Sequence, residues 1–292
     1  YDPGPNRPIE RLTVSRYGLA GLFTAAWDPA AEPDQWAALA RIVAARAPKR
    51  IALNFSPNNR FSDGLTKSQH DALIGALGPE LSARITPADR LATRWLETRL
   101  PEEIARYPEI VRLTHAIMAK AISNKVITPG KTTAADVGWF ARQEIANLGL
   151  SPWFHPSFAV LRQGETRWRD GPVVIMPGDL LHMDMGLHYF GLASDVQQMG
   201  YVLKPGEKAP PPGVARAYQA LHQAGDILTS AFESGASGNA ILAKARAQAE
   251  KAGLDATYYS HPIGAHGHAA GPAIGFWDNQ APSQAFHLVR PR

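Results

Sequence analysis

A chain of 292 residues, 45% of them hydrophobic, can bury a sizeable core, and its length favours two domains over one. Thirty basic residues against 26 acidic ones leave a net charge of only +4, and the Lys and Arg are scattered instead of forming a stripe, so no nucleic-acid partner is indicated. There is no cysteine, which excludes disulfides, thiolate nucleophiles and Cys-ligated metal, and no apolar run approaches the roughly 18 residues that a membrane span requires.

Any metal must therefore rest on Asp, Glu and His. The sequence begins at Tyr1, which leaves room for a removed leader, and a cysteine-free chain suits cytoplasm and periplasm alike.

In chain order, residues 9 to 24 carry short β-like runs that end at the turn Asp28-Pro29. Trp36, Leu39, Ala40 and Val43 recur at helical spacing, and Ala47-Pro48 closes that segment. The apolar run from Arg50 to Phe55 then predicts a buried strand, giving α/β alternation. A second helix is expected from Ser68 to Leu77, stopped by Gly78-Pro79. Leu100-Pro101 opens another with an acidic first turn, running toward Val126, and the domain boundary is placed near residue 100.

Beyond the turn at Pro129-Gly130, Thr133 and Asp136 form a capping-box pattern, and Val137, Phe140, Ala141 and Leu148 share the apolar face of the helix it opens. Gly149 supplies its stop. The stretch from Gly178 to Leu203 lacks helical periodicity and lies between Pro177-Gly178 and Pro205-Gly206, so a β-hairpin is expected. Two helices follow, Val214 to Phe232 and Asn239 to Ala252, and lead into a Gly- and His-rich segment from Tyr258 to Trp277.

Chemistry concentrates in the last two regions. Asp184 and Asp195 stand eleven residues apart around a glycine-containing turn, and across paired strands they could face one another. Two carboxylates on one face raise each other's pKa unless a cation lies between them. The plainer alternative has Asp184 capping a strand and Asp195 in a turn. His261, His266 and His268 fall within eight residues, interleaved with Gly264, Gly267 and Gly271. Glycines allow close backbone approach, and imidazole with carboxylate suits a hydrolytic divalent ion. A single histidine is more often a hydrogen-bonded core residue, but three clustered in Gly-rich sequence argue for a site.

The Asp184/Asp195 pair, followed after two helices by His261-Pro262-Ile263-Gly264 and by His268 seven residues on, resembles the family of methionine aminopeptidase, aminopeptidase P, prolidase and creatinase. The opening helix after Pro101 and the Pro129-Gly130 signal with Thr132 and Thr133 fit the same resemblance. It covers residues 101 to about 280 well and 1 to 100 loosely. It implies an α+β fold: a pita-bread catalytic domain over residues 101–292, preceded by a smaller, incomplete α/β amino-terminal domain over 1–100 like that of the Xaa-Pro peptidases.

The same resemblance implies two divalent metal ions, manganese first and cobalt, zinc or iron as alternatives. Asp184 would bind one ion, Asp195 would bridge both, and His261 would ligate one. His268 would lie beside the substrate carbonyl. The implied activity is metal-assisted hydrolysis of the amino-terminal bond of short peptides, with proline after the cleaved bond, by a homodimer. The family completes its site with two glutamates beyond the histidines, whereas no Glu follows Glu250. Residues 277–292 and the loop from Gln163 to Pro172 are accordingly expected to be abridged relative to relatives, which carry a further histidine in that loop. A metal-free creatinase-like hydrolase and a non-catalytic binding module are the two alternatives. The retained Asp184, Asp195 and His261 argue against the first, and the absent glutamates favour the second.

Overall fold

Local capping and glycine geometry set most element boundaries. The computed structural model describes residues 11–14, 23–56, 60–276 and 279–281, which fall in two units, Tyr1–Trp95 and Leu96–Arg292.

In the first unit, β1 (Leu12–Thr13) and β2 (Thr24–Ala25) pair in parallel, and the rest of the β-like run expected over residues 9 to 24 lies outside the described residues. Helix α1 (Gln35–Ala45) begins where the Asp34 carboxylate accepts from the amides of Trp36 and Ala37. Its buried line is Ala38 and Ile42, one position round from the expected Trp36, Leu39 and Val43. Strand β3 (Ile51–Leu53) is shorter than expected and is not buried, since it pairs only with β4 (Ile85–Pro87), in parallel. Between them, α2 (Lys67–Ser82) starts at a capping box of Thr66 and Gln69. The expected stop at Gly78-Pro79 is a kink: Gly78 turns to φ 68°, open to glycine without a Cβ penalty, and the helix resumes at Pro79. Helix α3 (Asp89–Glu97) was not anticipated, nor was β4.

The second unit opens with α4 (Pro101–Ala121), where Pro101 needs no amide partner and the Glu103 carboxylate accepts from the Leu100 amide. It ends well before Val126, in turns through Ser123. Helix α5 (Ala134–Asn147) has the expected capping box: Thr133 Oγ1 accepts from the Asp136 amide while Asp136 accepts from the Thr133 amide. Gly149, at φ 71°, ends it. Its core face is Val137, Ala141 and Ile145; Leu148 falls past the last turn and is half exposed.

Six strands follow: β5 (Ser151–Pro152), β6 (Ser157–Leu161), β7 (Leu180–Met185), β8 (Leu187–Tyr189), β9 (Leu192–Ala193) and β10 (Val196–Tyr201). The expected hairpin is present, with β7 in the middle of an antiparallel sheet ordered β10-β7-β6. Its tip folds into a second small sheet ordered β5-β8-β9, turning at Phe190 and Gly191. Helices α6 (Pro212–Ala231) and α7 (Gly238–Lys251) pack together over a separate core of Ile241, Leu242, Ala245, Tyr258 and Ile274. The short hairpin of β11 (Ile263–Gly264) and β12 (Gly267–His268) ends the described elements.

The main core lies where α4 and α5 cover one face of the β7 sheet, through Ile110, Met118, Val137, Ile145, Phe158, Val160, Leu181, Met183 and Met185. The two-residue period of a strand then places His182 and Asp184 on the opposite face. Burial along β7 alternates accordingly.

Candidate metal centre

Asp184 leaves β7 on the face turned away from the main core, opposite Gln197 in the register of β10. The Gln197 amide donates to Asp184 Oδ2 at 3.4 Å, and its Oε1 lies 3.0 Å from His182 Nε2. Asp184 Oδ1 is buried and finds no hydrogen-bond partner. Burial first, and then the neighbouring Asp195 carboxylate, push Asp184 up to about 6 from an ordinary 3.8, against the opposing pull of His182 and His261. A buried carboxylate oxygen without a donor is costly, and a cation is one of the few groups that relieves both desolvation and repulsion.

Asp195 lies just before β10, next to Ser194, which several hydrogen bonds hold. The Ser194 amide donates to the Leu187 carbonyl at 3.0 Å, and the Leu187 amide returns a bond to Ser194 Oγ at 3.2 Å. Ser194 Oγ is also 2.7 Å from Thr114 Oγ1 on α4, and the Ser194 carbonyl accepts from Trp153 Nε1 at 2.7 Å. Ser194 and Thr114 are both buried, so these bonds act without competition from water.

Both histidines meet one oxygen of Asp195. His261 Nε2 lies 3.2 Å and His268 Nε2 3.3 Å from Asp195 Oδ2, with the two ring centroids 3.6 Å apart. His268 reaches this point because β11 and β12 turn back tightly, pairing it with Ile263. His261 Nδ1 is 3.2 Å from the Pro262 carbonyl. A carbonyl can only accept, so Nδ1 carries a proton and Nε2 is the nitrogen turned to the carboxylate oxygen. A proton or a cation must lie between that nitrogen and the carboxylate. In the absence of a cation, burial would lower His261, but the Asp195 hydrogen bond, the Pro262 carbonyl and the two carboxylate charges together raise it.

The ligand-capable atoms of Asp195, His261 and His268 lie within 4.8 Å of one another. Asp184 stands beside this trio but outside it. His268, expected at the substrate carbonyl and apart from the metal, is thus as close to Asp195 as His261 is. His266, the third member of the histidine cluster, sits exposed in the β11–β12 turn. Oxygen and imidazole donors of this kind fit a divalent ion of the first transition row. Sequence reasoning missed Ser194, Thr114 and Trp153. The one trace of Trp153 in the sequence is a pair of glycines, Gly186 and Gly267, at which any side chain would overlap its ring.

The model of metallopeptidase family M24 matches residues 105–286, more than half of the chain. The chain belongs to metallopeptidase family M24. That match begins in α4 and takes in Asp184, Asp195, His261 and His268. Among solved structures, this M24 chain is similar to an X-Pro aminopeptidase from Thermotoga maritima, with TM-score 0.62 and 18% identity over 85% of this chain and 66% of that one. It is also similar to an Xaa-Pro dipeptidase from Bacillus anthracis, with TM-score 0.60 and 20% identity over 82% and 63% of the two chains. A dipeptidase from Pyrococcus horikoshii has TM-score 0.60 and 17% identity over 87% and 67%. The M24 chain thus spans about two thirds of the length of these proteins, and at such identities the likeness establishes the mixed α+β, pita-bread type of fold. No curated protein matches it. A metallopeptidase family implies a divalent metal, and the donors gathered at Asp195 fit one.

Proposed function

We propose that this M24 chain is a metal-dependent exopeptidase that cleaves the amino-terminal bond of short peptides, with proline after the scissile bond. The observation that carries this reading is the buried, unpartnered Asp184 Oδ1 beside an Asp195 oxygen that already faces two imidazole nitrogens. In the proposal Asp184, Asp195 and His261 would hold two divalent ions, manganese first. When bound, the metal would polarise the scissile carbonyl and lower the pKa of the attacking water.

The protein's own side chains have separate tasks. The Pro262 carbonyl accepts from His261 Nδ1, which leaves Nε2 as the nitrogen available to a metal. Ser194, bonded on all sides, keeps Asp195 from swinging into solvent. His268, 44% exposed where Asp195 is 14%, is open to a substrate and donates to the oxygen on which negative charge develops. The first 100 residues serve as an amino-terminal domain of the creatinase type, residues 101–292 as the catalytic domain, and the working molecule is a homodimer. No described helix is long and apolar enough to cross a membrane.

The test is hydrolysis of Xaa-Pro dipeptides and tripeptides before and after chelation. Activity lost on chelation and restored by manganese supports the proposal; activity that survives exhaustive chelation overturns it. The latter outcome would favour a metal-free creatinase-like hydrolase.

A further inference from the structure

Trp153 follows β5 directly and reaches three stretches of chain that carry the centre. Its Nε1 donates to the carbonyl of Ser194, the residue before Asp195. A methyl placed on Gly186, two residues from Asp184, would overlap Nε1, and one on Gly267, the residue before His268, would overlap the six-membered part of the indole. The ring therefore fills the space between the backbone of the β7–β10 hairpin and that of the β11–β12 hairpin. Gly267 also adopts φ 74°, which a side chain would resist. The indole centroid lies 5.0 Å from that of the His268 ring, and Phe154 packs edge-on against the indole at 4.5 Å.

Trp153 thus holds the aspartate hairpin by a hydrogen bond and the histidine hairpin by packing. We propose that Trp153 is a positioning residue that sets the spacing between Asp195 and His268, acting through the Ser194 carbonyl and the Gly267 backbone. It does not itself ligate or react. A two-ring side chain suits the task because it loses little rotamer freedom on burial and carries one donor, which is aimed at the strand that presents Asp195. Outer partners of this kind typically hold a factor of about 10 to 100 in metal affinity.

The inference rests on the metal-centre reading above, and Co²⁺ serves as the probe. Affinity is measured by the visible absorption of bound Co²⁺ on the whole chain, at a temperature where circular dichroism shows each variant folded. Trp153→Phe keeps an aromatic ring but loses the donor and part of the filling, and should bind Co²⁺ about tenfold more weakly with an altered absorption band. Trp139→Phe, the same change at an exposed position on α5, should leave both unchanged. If Trp153→Phe does not fold, Trp153→Tyr is titrated in its place. A melting temperature that falls while Co²⁺ affinity and band shape stay as in the unaltered chain would overturn the proposal, since the ring would then be filling only. Failure of both variants to fold would overturn it on the same ground. Absence of Co²⁺ binding by the unaltered chain would refute the metal centre itself and this proposal with it.

Discussion

Asp184 carries two consequences that can be measured separately. In the metal-free protein its carboxyl is held at about 6, against 3.8 for an unperturbed aspartate. The folded state therefore binds the extra proton between those values, so the stability tied to this group is present below about 4 and is lost as pH rises through about 6. Asp184→Asn, which mimics the protonated form, should accordingly be more stable than the unaltered metal-free protein at pH 7, with the difference shrinking toward pH 4. Urea unfolding at several pH values checks this, and a difference that does not vary with pH would contradict it. The histidines are separable in a similar way. His268→Ala should keep its metal and lose turnover by about 100- to 1,000-fold, as expected for a donor to a developing oxyanion, whereas His261→Ala should lose metal. Metal content and turnover measured on both variants decide between these roles, and wild-type turnover in His268→Ala would refute the one given to it. That the clustered histidines belong to a site was legible from their spacing and glycine content, but that His268 meets the same Asp195 oxygen as His261 was not. The bonds that anchor the site were not, because Ser194 to Thr114 spans 80 residues and Trp153 to Ser194 spans 41. Contacts of that range leave no periodic trace in a single sequence.

Elements set by local chemistry were legible, and those set by tertiary packing were less so. The Thr133 and Asp136 capping box, the stop at Gly149 and the hairpin from Gly178 onward depend on a few adjacent residues, and all appear. Thr133→Ala should therefore cost about 1 kcal/mol in chemical denaturation and leave metal content untouched. By contrast, α3 was passed over although Leu91, Ala92, Trp95 and Leu96 share one face at helical spacing; Leu91 and Trp95 on that face are exposed, and β3 is too short for its burial to be inferred. The α1 stripe was set one position off because Ala38, small and fully buried, carries little hydrophobic signal. The alternation along β7 does more than fill the core. Met183 is fully buried between His182 and Asp184, so Met183→Ala should cost about 2–5 kcal/mol and leave the charged face in place. Denaturation midpoints and metal content together test this. Metal lost in proportion to the unfolded fraction fits, and metal lost from folded protein would mean that the strand shifts.

At the scale of the whole molecule, membership of family M24 rests on residues 105–286, and the fold of solved Xaa-Pro peptidases extends the likeness to more than four fifths of the chain. The catalytic proposal depends on one further step, that the carboxylates of Asp184 and Asp195 and the imidazole of His261 bind divalent ions together. The direct measurement is the metal content of the purified chain after equilibration with manganese, compared with that of Asp195→Ala. The account expects about two ions per chain, as in two-metal hydrolytic sites, and their loss when the Asp195 carboxylate is removed. Full metal content in Asp195→Ala, or none in the unaltered protein while it remains folded, would contradict it.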